Sequence, residues 1–119
     1  MHWRKLKVWE TSHAMVLEIY RVVAGFPSIE KFGLADQLKR ATSSIPANIV
    51  EGQSRNTTKE YLQFLYNARG SLEEVRYFLL LSRDLQYLSL EKYEDMEIKC
   101  KDISIMLNNL IKSLKTSKI

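Results

Sequence analysis

With 119 residues, 45% of them apolar, four glycines and two prolines, the chain has the size of one domain and too little Gly and Pro for a disordered or loop-rich protein. Eighteen Lys and Arg against fourteen Asp and Glu give a net charge of +4 and a pI near 9.2, which suits an acidic partner such as RNA or DNA and equally fits a lysine-rich solvated surface. One cysteine, Cys100, excludes an intrachain disulfide, the longest apolar run (Tyr77 to Leu81) is too short for a bilayer, and no signal-peptide h-region follows the basic start; a cytoplasmic protein without membrane contact is expected.

Four helical segments with short connections follow in order. The first is expected over about Val8 to Ala24, where Val8, Met15, Ile19, Val22 and Phe26 recur at helical spacing, and Gly25-Phe26-Pro27 ends it. The second spans about Leu34 to Gly52, with Leu34, Leu38, Ala41, Ile45 and Ile49 on its apolar face. Pro46 lies inside it and predicts a kink or break, with Ser43 and Ser44 available to satisfy freed carbonyls.

The third runs from about Thr58 to Leu85 and opens on a capping box, Thr57 with Glu60. Leu65, Ala68, Leu72, Val75 and Leu79 give it a coiled-coil-like seam. The fourth covers about Leu90 to Leu114 with Ser89 as N-cap, and Tyr93, Met96, Cys100, Ile103, Leu107, Leu110 and Leu114 form its seam. Each long helix would reach roughly 40 Å at about 1.5 Å per residue. Short connections between neighbours predict a single all-α domain over 1–119, an antiparallel up-down four-helix bundle with a Pro-kinked second helix.

The third helix owns more apolar surface than one stripe requires. Tyr61, Phe64, Tyr77, Phe78 and Leu81 stand beside its seam, and they are the predicted interface with another subunit; cover by the second helix of the same chain is the alternative.

Chemistry-bearing patterns are sparse. Glu10 and His13 share the spacing of a di-iron ligand pair, but His2 is the only other histidine, so no metal or cofactor is expected. Cys100 sits at a core position, where thiols are inert, and no serine lies in a nucleophile elbow, so no catalytic residue is assigned. Basic residues cluster at Arg4, Lys5 and Lys7, at Lys39 and Arg40, at Arg55, and at Lys112, Lys115 and Lys118. An antiparallel bundle brings chain start and chain end to one pole, so the terminal clusters are expected to merge into a phosphate-binding patch. Trp3 and Trp9 would either stack on bases there or fill the core or an interface.

The most distinctive stretch runs from Leu38 to Glu74. It holds Ser44-Ile45-Pro46-Ala47-Asn48-Ile49-Val50-Glu51-Gly52, then Arg55, then Lys59-Glu60-Tyr61-Leu62-Gln63-Phe64-Leu65 and Ala68-Arg69-Gly70-Ser71-Leu72-Glu73-Glu74. It closely resembles the bacterial four-helix bundle family labelled S23 ribosomal protein, whose members include proteins encoded in intervening sequences of 23S rRNA genes. The accessory protein of diversity-generating retroelements looks like a relative. The resemblance implies a homopentameric ring without catalytic activity. In the accessory-protein branch it implies nucleic-acid binding and contact with a reverse transcriptase.

Physically, most of the motif reads as architecture. Pro46 shapes the second helix, Asn48 and Glu51 share a face and tie a loop, Gly52 fits a C-cap, and Glu60 completes the capping box. Gly70 and Ser71 are small enough for a close helix approach, and Arg40 and Arg55 flank the motif as phosphate contacts. The reading is a non-enzymatic, nonspecific RNA- or DNA-binding homo-oligomer; the alternative is a protein-interaction scaffold.

Overall fold

The expected seams become the core. In a computed structural model that describes residues 2–116, α1 spans Lys7–Val23, α2 Leu34–Gln53, α3 Thr58–Asp84 and α4 Leu90–Thr116, with short 3-10 turns at Trp3–Lys5 and Ser28–Glu30. Among the described residues there are four α-helices and no strand. Leu38, Ile45 and Ile49 of α2, the whole Leu65 to Leu79 seam of α3, and Met96, Cys100, Ile103 and Leu107 of α4 are completely buried. At the end of α4, Ile111 is buried, while Leu110 and Leu114 are only half-buried. A straight helix drifts from a seven-residue repeat by about 20° per heptad, so the core position slips by one residue there.

The helices run alternately up and down, and each packs on its sequence neighbours, with α1 closing onto α4. The molecule extends 50 × 24 × 20 Å. Ser44 and Ser71 share a hydrogen bond of 2.9 Å between α2 and α3, and Asn48 Nδ2 donates to Ser44 O at 2.7 Å and to Ser44 Oγ at 2.9 Å. Ser44 and Ser71 therefore tie α2 to α3, and Asn48 bonds back to Ser44 within its own helix rather than holding a loop. Glu51 does tie the connection, through Arg55 Nη2 at 3.3 Å.

Three local expectations need correction. Of the kink or break expected at Pro46 there is no break, since α2 continues through the buried proline; Ser43 Oγ donates to Arg40 O, and Ser44 faces Ser71, so neither serves the carbonyl one turn before the proline. Gly52 is not the C-cap: it lies buried inside α2, where an added Cβ would come within 2.9 Å of Tyr61 Cδ1. Gly70 has open space around it, so the close approach assigned to it belongs to Gly52.

The helix ends follow ordinary capping chemistry. Thr57 Oγ1 accepts from Glu60 N at 3.1 Å and donates to Glu60 Oε1 at 2.9 Å, and Ser89 Oγ accepts from Lys92 N at 3.0 Å. Gly25 does not adopt a positive φ; among the described residues the left-handed one is Gln86, at φ 65°. With Tyr87 N donating to Ser82 O and Gln86 N to Arg83 O, both at 2.9 Å, α3 ends in a Schellman turn without glycine.

Candidate nucleic-acid interface

Register between the helices decides which charges share a neighbourhood. Thr11 meets Met106, Glu18 meets Lys99, Arg69 meets Asn108 and Arg76 meets Glu97. The start of α1, the end of α2, the start of α3 and the end of α4 consequently share one pole. Leu6, Lys7 and Val8 line a groove with Met106, Asn109 and Leu110, so the start of α1 and the later turns of α4 meet there.

Arg4, Lys5, Lys7, Lys112 and Lys115 are all exposed at this pole; Lys118 lies outside the described residues. Arg55 belongs here too, although its guanidinium stacks over Phe64 at 4.6 Å besides pairing with Glu51. Lys39 and Arg40 do not. They sit near the start of α2, in the opposite half, where Lys39 Nζ lies 5.3 Å above the Tyr20 ring and Arg40 Nε binds Asp36 at 2.9 Å.

Helix order adds Lys59 and Arg69, which local clustering in the sequence could not reveal because each stands alone in α3. Arg69 and Lys115 reach the same ring, Tyr66, at 5.1 and 5.5 Å. Residues 2–15, 44–71 and 104–116, the half containing this pole, hold eight Lys and Arg against three carboxylates, Glu10, Glu51 and Glu60. The other described residues hold nine against eleven. The modest net charge of the chain is thus strongly divided along its long axis, and salt would screen the resulting field over about 8 Å at physiological ionic strength.

Trp3 and Trp9 stand at the same pole but turn to one another. Their ring centroids are 4.8 Å apart, His13 stacks in parallel on Trp9 at 5.1 Å, His2 lies 4.8 Å from Trp3, and Arg4 sits 4.8 Å over Trp3. Trp9 has a ring on both sides and packs against the core, so this pair anchors the first turn and offers no open face between its rings for a base.

Of the predicted interface residues on α3, Tyr61, Phe64, Phe78 and Leu81 are half-buried by their own chain, and Tyr77 is 57% exposed. Burial pushes the Tyr61 hydroxyl up from its ordinary value. Cys100 is enclosed in the core, and its thiol is pushed up to about 12, chiefly by burial. Among the described residues, no three His, Cys, Asp or Glu side chains are grouped to hold a metal ion, and no helix is long and apolar enough to cross a membrane.

Comparison with known proteins agrees with this architecture. A solved structure of a protein of unknown function from the S23 ribosomal protein family of Bacteroides thetaiotaomicron VPI-5482 superposes with a TM-score of 0.79 at 25% identity, covering 88% of this chain and 98% of that one. No curated protein matches the sequence. The family model for the 23S rRNA-intervening sequence protein matches residues 4–109. A four-helix chain matched over that span belongs to the 23S rRNA-intervening sequence protein family.

Proposed function

We propose that this protein is a non-enzymatic homo-oligomer, a ring of five four-helix subunits, that binds RNA or DNA through the phosphate backbone at its terminal pole. The observation that carries the reading is the axial division of charge, eight cations against three carboxylates at the half with both chain ends. Exposed lysines and arginines contact phosphates without reading bases, and their binding is driven by counterion release. In a ring with parallel subunits the poles sum their fields, which raises the attraction for a polyanion well beyond that of one subunit. The family name points to genes inside 23S rRNA sequences and leaves the bound nucleic acid open.

Filter binding of generic RNA at two salt concentrations tests the reading. Six phosphate contacts would weaken binding about a thousandfold between about 50 and 200 mM salt. Absence of binding at the lower salt would leave the alternative, an interaction scaffold with a reverse transcriptase or another protein as partner. That alternative draws support from Arg55 and Arg69, cations of this pole that are engaged by their own chain.

A further inference from the structure

The seam between α3 and α4 carries two arginines, Arg69 and Arg76, two turns apart on the same face of α3, and their partners differ in charge. Arg76 is neutralised: its Nη2 meets Glu97 of α4 at 2.6 Å, and its Nη1 meets Glu73 at 3.1 Å. Opposite Arg69, α4 presents an amide instead. Arg69 Nη1 donates to Asn108 Oδ1 at 3.2 Å, and Arg69 Cζ lies 5.1 Å from the centre of the Tyr66 ring. Glu73, the carboxylate one turn along from Arg69, is already taken by Arg76. The amide and the ring hold the guanidinium in place and cancel none of its charge, unlike Arg55, which pairs with Glu51.

Lys115 reaches the same Tyr66 ring, its Nζ at 5.5 Å, and Lys112 stands between Asn108 and Lys115 on one face of α4. All three cations are exposed, and among the described residues none of them pairs with a carboxylate. We propose that Arg69, flanked by Lys112 and Lys115, is the seat of one phosphate group. The proposal rests on the nucleic-acid reading above and deepens it by naming where a backbone phosphate sits. A guanidinium fork matches phosphate oxygens, and Asn108 leaves most of its N–H donors unspent. Holding the side chain over Tyr66 before the ligand arrives lowers the ordering cost of binding. A free phosphate ion shares this chemistry.

Fluorescence anisotropy of a short labelled RNA, at several salt concentrations, provides the test. Arg69→Gln should weaken binding about tenfold and lower the salt slope by about one unit. Asn108→Asp should do the same while its thermal melt stays at or above that of wild type, because it keeps Arg69 over Tyr66 and only gives it the kind of partner that Arg76 has. Lys101→Gln removes the same charge from an exposed position of α4 in the other half and should change binding much less. Titration with inorganic phosphate, followed by NMR at the Arg69 Nε–H signal, decides the source. If wild type binds RNA and either seat variant loses no more affinity than Lys101→Gln, the inference is overturned and the basic pole stands. If wild type binds no RNA at low salt, yet phosphate moves that signal in wild type and not in Asn108→Asp, the seat stands as a free-phosphate site and the nucleic-acid reading alone falls. If neither ligand binds, both fall.

Discussion

Gly52 of α2 and Phe64 of α3 meet where neither helix has room for another carbon: a Cβ on Gly52 would lie 2.8 Å from the Phe64 Cβ. Phe64 Cβ is fixed to its backbone, and the Tyr61 carbonyl stands 3.3 Å away on the same side, so the helices themselves must part. Gly52→Ala should cost about 1–3 kcal/mol, the range for overpacking a core. Gly70→Ala should act in the opposite direction. Its Cβ meets nothing, so the helix gains about 1 kcal/mol of propensity. Urea denaturation of both variants checks the two signs together.

Gln86 occupies a left-handed backbone position that costs a non-glycine residue about 1–2 kcal/mol. Glycine removes that strain and gives part of it back as chain entropy. Gln86→Gly should therefore stabilise by about 0.5–1 kcal/mol, raising Tm by a few degrees in calorimetry.

Glu18 links α1 to α4 by accepting hydrogen bonds from Lys92 Nζ and from Lys99 Nζ, the latter at 2.6 Å. Partial burial pushes its carboxyl upward, but the two lysines outweigh it and hold the group below its ordinary value of 4.5. A depressed acid stabilises the fold above its unfolded-state value and loses that contribution as pH falls through its folded value. Glu18→Gln should destabilise by about 1 kcal/mol at pH 7, as expected for a partly exposed pair, and the difference from wild type should fade below about pH 4.5. Thermal melts of both proteins between pH 3 and 7 measure it.

Cys100 is held as a thiol by its surroundings, with its titration pushed up to about 12. Thiolate is the reactive form, so iodoacetamide at pH 8 should leave the folded protein unmodified and label it fully in denaturant. Mass spectrometry before and after unfolding reads the outcome.

The two groups of basic residues should separate in nucleic-acid binding. Lys112→Gln/Lys115→Gln, at the terminal pole, should weaken RNA binding and flatten its salt dependence by about two units of slope. Lys39→Gln/Arg40→Gln, in the balanced half beside Tyr20 and Asp36, should change both much less. Filter binding at several salt concentrations distinguishes them.

Periodicity alone determined the four helices, their order and most of the core. Apolar side chains recurring every three or four residues have one way to leave water together, and Thr57 and Ser89 mark starts through chemistry confined to one turn. Only the tertiary structure decided which small residues matter and which charges act together. Gly52 and Gly70 look alike in sequence, yet one faces Phe64 and the other faces open space. Arg69 joins Lys115 over Tyr66 while Lys39 is left in the other half, because distances between chain segments are fixed by helix packing and register, which local spacing does not contain.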